Sequence, residues 1–167
     1  MLCCLLIATQ AAGHGDHTKH GGIHEIKLCI QSDHVSVDYL IAGRRNPRLR
    51  VNYNARGREL AQMQRLLVDG QQLELIFVEA LPGRDEVLYK FHSAPGSLTP
   101  GEHRVRYAAL TFDHAEQMLI RVRSGKGAAL VIDSMRKVKE YERSFKVLID
   151  EPEQPAKIPQ SDPPPEQ

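Results

Sequence analysis

Long apolar runs are missing from this 167-residue chain, and nothing in it approaches the roughly 20 consecutive apolar residues that a membrane-spanning helix needs. Cysteine is scarce as well. Cys3 and Cys4 sit in a short apolar start, which leaves Cys29 alone in the body of the chain and excludes an internal disulfide once that start is removed. Cys29 is then either a small packed residue or a soft metal ligand. Aromatic residues make up only 5%, and 22 Lys plus Arg stand against 21 Asp plus Glu, so neither stacking platforms nor net charge argue for nucleic acid. Reaction signatures are absent too. There is no cysteine pair, no His-Glu-x-x-His, no phosphate loop and no nucleophile elbow, and we expect a protein that is not an enzyme.

What is present begins at the N-terminus. Residues 1–13 have the apolar centre and small-residue end of a signal peptide, although the stretch is short and lacks a basic start. The expectation is a soluble product exported from the cytoplasm, periplasmic if the source is bacterial. Cleavage after Ala11 would expose Ala12-Gly13-His14, whose amine, amides and imidazole supply the square-planar nitrogen set that Cu(II) and Ni(II) prefer. Cleavage after Gly13 would put His14 first, and its amine and ring would then chelate together.

The next segment carries the chemistry. His14, His17, His20 and His24 place four imidazoles, with the Asp16 carboxylate, inside eleven residues. Neutral imidazole suits Zn, Cu, Ni and Co, and the carboxylate adds a harder oxygen. Gly15, Gly21 and Gly22 make residues 14–22 a pliable arm that can wrap one ion. The competing reading is a solvated polar leader with weak, incidental metal affinity.

From Ile23 the hydrophobic period becomes two. Ile26, Leu28 and Ile30 alternate with polar residues, Ser32-Asp33 turns the chain, and Val35, Val37, Tyr39 and Ile41 complete a hairpin. Further strands are expected at Leu49–Tyr53, at Leu73, Leu75 and Phe77, at Val87, Tyr89 and Phe91, and at His103, Val105 and Tyr107. Met118, Ile120 and Val122 should pair with the last of these. Ala128–Ile132 and a final stretch near Ser144–Ile149 follow, while the run from residue 134 fits helix and strand alike. Leu60, Met63, Leu66 and Leu67 have helical spacing, which predicts one short helix over Glu59–Leu67 stopped by Asp69-Gly70. The fold class is therefore mostly β: an antiparallel, immunoglobulin-like β-sandwich with one short helix over residues 23–149. Residues 150–167 hold six prolines and should form an acidic tail without packed structure.

Two further groups are candidate sites. Arg44, Arg45 and Arg48 lead an arginine-rich connection that reads as a solvated edge or as a docking patch for an acidic partner. Asp113, His114 and Glu116 fall in one polar connection, where they are either solvated or a second metal site.

Three short motifs carry a resemblance: the first strand led by His24, the turn Leu67-Val68-Asp69-Gly70, and Pro100-Gly101-Glu102-His103 running into Tyr107. Over Ile23–Ile132 the chain resembles the extracytoplasmic β-domain of nickel and cobalt transport proteins of the HupE/UreJ and nickel-efflux type. That resemblance implies a transition-metal transport context, with Ni, Co, Cu or Zn as the ion and a membrane metal transporter or another envelope protein as partner. The chain departs from it in having no membrane helices. A looser likeness is to copper-carrying β-sandwich proteins of the bacterial periplasm. The alternative function is an envelope interaction module that uses the arginine-rich edge and the proline-rich tail, with the histidines incidental.

Overall fold

Where apolar and polar residues alternate along Ile23–Ile30, Val35–Ala42, Glu86–His92 and Gly101–Ala109 the backbone is extended, because alternation gives a strand one face to bury. The computed structural model describes residues 22–43, 51–110, 117–139 and 141–151. Among them are ten strands and one helix: β1 (Ile23–Ile30), β2 (Val35–Ala42), α1 (Tyr53–Gln62), β3 (Gln64–Val68), β4 (Gln71–Leu73), β5 (Ile76–Pro82), β6 (Glu86–His92), β7 (Gly101–Ala109), β8 (Gln117–Ser124), β9 (Ala128–Lys139) and β10 (Glu142–Ile149). They form two five-stranded sheets, ordered β5-β6-β2-β1-β8 and β4-β3-β7-β10-β9.

The core lies between the two sheets. Ile26, Leu28, Ile30, Val37, Tyr39 and Phe91 point inward from the first sheet, and Leu66, Val105, Tyr107, Phe145 and Val147 from the second. Each is buried almost completely, and full burial of one such aliphatic or Phe side chain stabilises by roughly 1.5–3 kcal/mol. The protein is thus a mostly β sandwich with one short helix. One pairing departs from the antiparallel expectation. β8 runs parallel to β1 in the register Ile23↔Gln117 to Ile30↔Ser124, while the other pairings are antiparallel.

Several expectations need correction. The helix covers Tyr53–Gln62 rather than Glu59–Leu67. Its start is set by Asn52, whose side-chain oxygen accepts the Ala55 N–H at 3.0 Å, so Tyr53 opens a helix and does not close a strand. Leu66 and Leu67 belong to β3, where Gln64, Leu66 and Val68 face inward.

Asp69-Gly70 consequently does not stop the helix. With φ of 50° and 85° the pair forms the two-residue loop of the β3–β4 hairpin, because positive φ at both loop positions matches the strand twist. The strand expected through Leu73, Leu75 and Phe77 is split, since β4 and β5 belong to different sheets and the chain crosses between them at Glu74 and Leu75. β8 likewise does not pair with β7. It sits beside β1, so the connection carrying Asp113, His114 and Glu116 joins two sheets and is not a hairpin turn. The ambiguous run after residue 134 is strand, as the second half of β9 and then β10.

Candidate metal centre

β1 is held between β2 and β8, so its two ends are fixed points about 23 Å apart at the usual rise of ~3.3 Å per residue. The end that begins the strand carries a histidine. His24 continues the inward series of Ile26, Leu28 and Ile30, is 3% exposed, and places Nδ1 2.8 Å from the Tyr39 hydroxyl with the rings edge to face. Its imidazole is therefore part of the sandwich end rather than of the segment that precedes it. Coordination of a metal through Nε2 requires the tautomer in which Nδ1–H donates to Tyr39.

Further polar groups are buried in the same core. The Tyr107 hydroxyl donates to Gln64 Oε1 at 2.7 Å, and Gln64 Nε2 donates to the Leu60 carbonyl at 3.0 Å. Burial, with Tyr39 adding to it, raises the Tyr107 phenol well above its usual value and keeps it neutral.

At the opposite end of the hairpin lie His34 and His92. His34 sits one residue before β2 and His92 ends β6, and the pairing Ser36↔His92 brings both onto the outer face of the first sheet. Their ring centres are 6.5 Å apart with an interplanar angle of 82°. His34 Nδ1 donates to Asp33 Oδ1 at 2.6 Å, and His92 Nδ1 donates to the Ser93 carbonyl at 2.8 Å.

A fourth histidine closes the β3–β4 turn. His103 contacts Asp69 Oδ2 through Nδ1 and the Thr99 carbonyl through Nε2, each at 2.7 Å. Both partners are acceptors, so the ring must be a doubly protonated donor to make the two bonds at once. Partial burial opposes its charge, but the hydrogen bonds to Asp69 and Thr99 prevail and its pKa is raised. Asp69 is lowered, first by the Arg104 backbone N–H at 2.8 Å and then by His103. This arrangement ties a hairpin to β7 and leaves neither ring nitrogen for a metal.

Of the candidate ligands singled out from the sequence, His24 and Cys29 are described, Cys29 as a half-buried free thiol. His14, Asp16, His17, His20, the arginines Arg44, Arg45 and Arg48, the trio Asp113, His114 and Glu116, the leader, and the tail from residue 152 lie outside the described residues. Among the described residues no three His, Cys, Asp or Glu side chains converge on a point suited to a metal ion. His92 went unremarked in the sequence because its partner is 58 positions away and only the β2–β6 pairing unites them. Cationic side chains also gather on the outer face of the second sheet, where Arg104, Arg106 and Lys146 line a depression of about 820 Å³. Arg106 is paired with Glu142, and Lys146 with Glu102 at 2.6 Å. Among the described residues no helix is long and apolar enough to cross a membrane.

No protein-family model and no curated protein matches this chain. Among solved structures, yeast LTA4 hydrolase aligns over 78% of this chain and 29% of its own length, at 6% identity and a TM-score of 0.25. The chain thus spans less than a third of that protein, and a likeness this slight carries no inference about function.

Proposed function

We propose that this chain is an extracytoplasmic metal-capture protein that takes up Ni, Co, Cu or Zn through His14, Asp16, His17 and His20 and buffers it or passes it to a membrane transporter or another envelope protein. The observation that carries the reading is the density of donors: four imidazoles and a carboxylate within residues 14–24, feeding directly into β1. The fold supports it physically. Because β1 is paired on both sides, the segment that bears the donors runs into a strand anchored by two neighbours. His24 is buried against Tyr39, so the burden of capture falls on the three histidines before it.

The test uses the purified chain with its N-terminus fixed by intact mass. Replacing His14, His17 and His20 together by Ala removes one tightly bound equivalent of metal and leaves the melting temperature unchanged, as expected for polar residues on a glycine-rich arm. Imidazole must be neutral to coordinate, so occupancy falls as pH drops through about 6.5. Equal metal uptake by the triple variant and the parent chain contradicts the reading.

A further inference from the structure

We propose that His34 and His92 form a second transition-metal site, independent of the N-terminal histidines, that takes a borderline divalent ion such as Cu(II) or Zn(II) through their two Nε2 atoms. Three observations lead there.

The first is tautomer. Asp33 Oδ1 and the Ser93 carbonyl are acceptors, so each histidine carries its proton on Nδ1 and, when neutral, presents a lone pair on Nε2. Neither Nε2 has a hydrogen-bond partner among the described residues. A carboxylate or a backbone carbonyl on the far ring nitrogen is the arrangement that orients ligating histidines and raises their basicity.

The second is rigidity. Ser93 is fully buried, its hydroxyl accepts the Val35 N–H at 3.0 Å, and its own N–H donates to the Val35 carbonyl at 2.9 Å. Leu98 N–H donates to the Asp33 carbonyl at 3.1 Å, and the Ser93 and Ser97 hydroxyls bond at 2.8 Å. The turn bearing His34 is thus stitched to the loop after His92 on both sides of the pair, so little ordering entropy remains to oppose binding.

The third is span. With metal–nitrogen bonds of about 2.0–2.1 Å, two imidazoles on one ion place their ring centres at most about 6.4 Å apart. The observed 6.5 Å lies just outside that limit, so sharing one ion requires the two side chains to turn towards each other. The His34 side chain is 24% exposed, which leaves solvent access for water or a small anion to fill the remaining positions. β1 spans about 23 Å, so the end of the sheet that receives the N-terminal segment is distinct from the end that bears His34 and His92.

The experiment takes the full chain with His14, His17 and His20 already replaced by Ala, and titrates it with Cu(II) and Zn(II). We expect one equivalent to remain bound, with pulsed EPR of the Cu(II) form showing two coordinated imidazoles. His34→Ala or His92→Ala in that background weakens binding at least about tenfold, and Asp33→Asn, which touches only the far ring nitrogen, by about 10–100-fold. Imidazole nitrogen NMR on the unaltered His34/His92 pair removes any dependence on how those variants fold: Zn(II) shifts both Nε2 resonances. Absence of any bound equivalent, or Zn(II) binding that leaves both Nε2 resonances unmoved, overturns the proposal. The parent chain tested in parallel reports on the N-terminal site separately.

Discussion

Gly57→Ala sets two effects of known sign against each other, and the structure decides which prevails. In an exposed helix interior this substitution stabilises by about 1 kcal/mol, because Gly loses more backbone entropy on folding than Ala. Gly57, however, is buried in α1, and a Cβ there would lie 2.2, 2.5 and 2.6 Å from three carbons of the Phe77 ring. Carbon atoms in contact prefer about 3.5–4.0 Å, so the ring must retreat by more than an ångström. That ring is on β5 and packs on Phe91 with centroids 5.9 Å apart, which limits its retreat. Overpacking of this kind costs about 1–3 kcal/mol, leaving a net destabilisation on the order of 1 kcal/mol. For a domain of this size the melting temperature should fall by about 3–6 °C. The assay is thermal unfolding followed by far-UV circular dichroism, run as a cycle with Phe77→Ala. With the ring removed, Gly57→Ala should become neutral or stabilising, the coupling expected of two residues in direct contact. A rise in melting temperature for Gly57→Ala alone refutes the docking of α1 on β5.

Two further outcomes follow from the polar groups. The Asp69–His103 link gives a pH dependence whose sign can be worked out. Asp69 is lowered, so its contribution is present above about pH 3.9 and lost as pH falls through its folded pKa; His103 is raised, so its contribution is present below about pH 6.5 and lost as pH rises through its folded pKa. Asp69→Asn, which keeps a residue tolerant of positive φ, should therefore lower the melting temperature more at pH 5.5 than at pH 8.5, and an equal loss at both contradicts the link. Tyr107→Phe leaves the buried Gln64 oxygen without its donor and should cost about 1–3 kcal/mol in denaturant unfolding, whereas no change would mean that the bond does not form in solution.

How much of this was legible in the sequence depends on the range of the interaction that decides each feature. Strand alternation is local, which is why β1, β2, β6 and β7 fall where their patterns put them. The helix was displaced because Gly57 and the arginines around it look like connection, and only packing against Phe77 explains a glycine inside a helix. Asp69-Gly70 carries one local signal with two meanings, and the strand pairing of Leu66 with Leu73 selects the hairpin. The seat of β8 beside β1 and the meeting of His34 with His92 are nonlocal, so no spacing in the chain announces them. Of the N-terminal donors, His24 alone falls among the described residues, and its burial follows from the same alternation that buries Ile26.

The central claim is that His14, His17 and His20 capture a transition metal, and metal stoichiometry tests it most directly. The purified parent chain and its His14→Ala/His17→Ala/His20→Ala variant are equilibrated with Ni(II), Co(II), Cu(II) and Zn(II) in turn at pH 7.5, dialysed, and analysed for metal per chain. The account predicts at least one of these ions bound by the parent at one equivalent more than by the variant, with both chains melting alike. Identical metal content in the two chains for all four ions contradicts it.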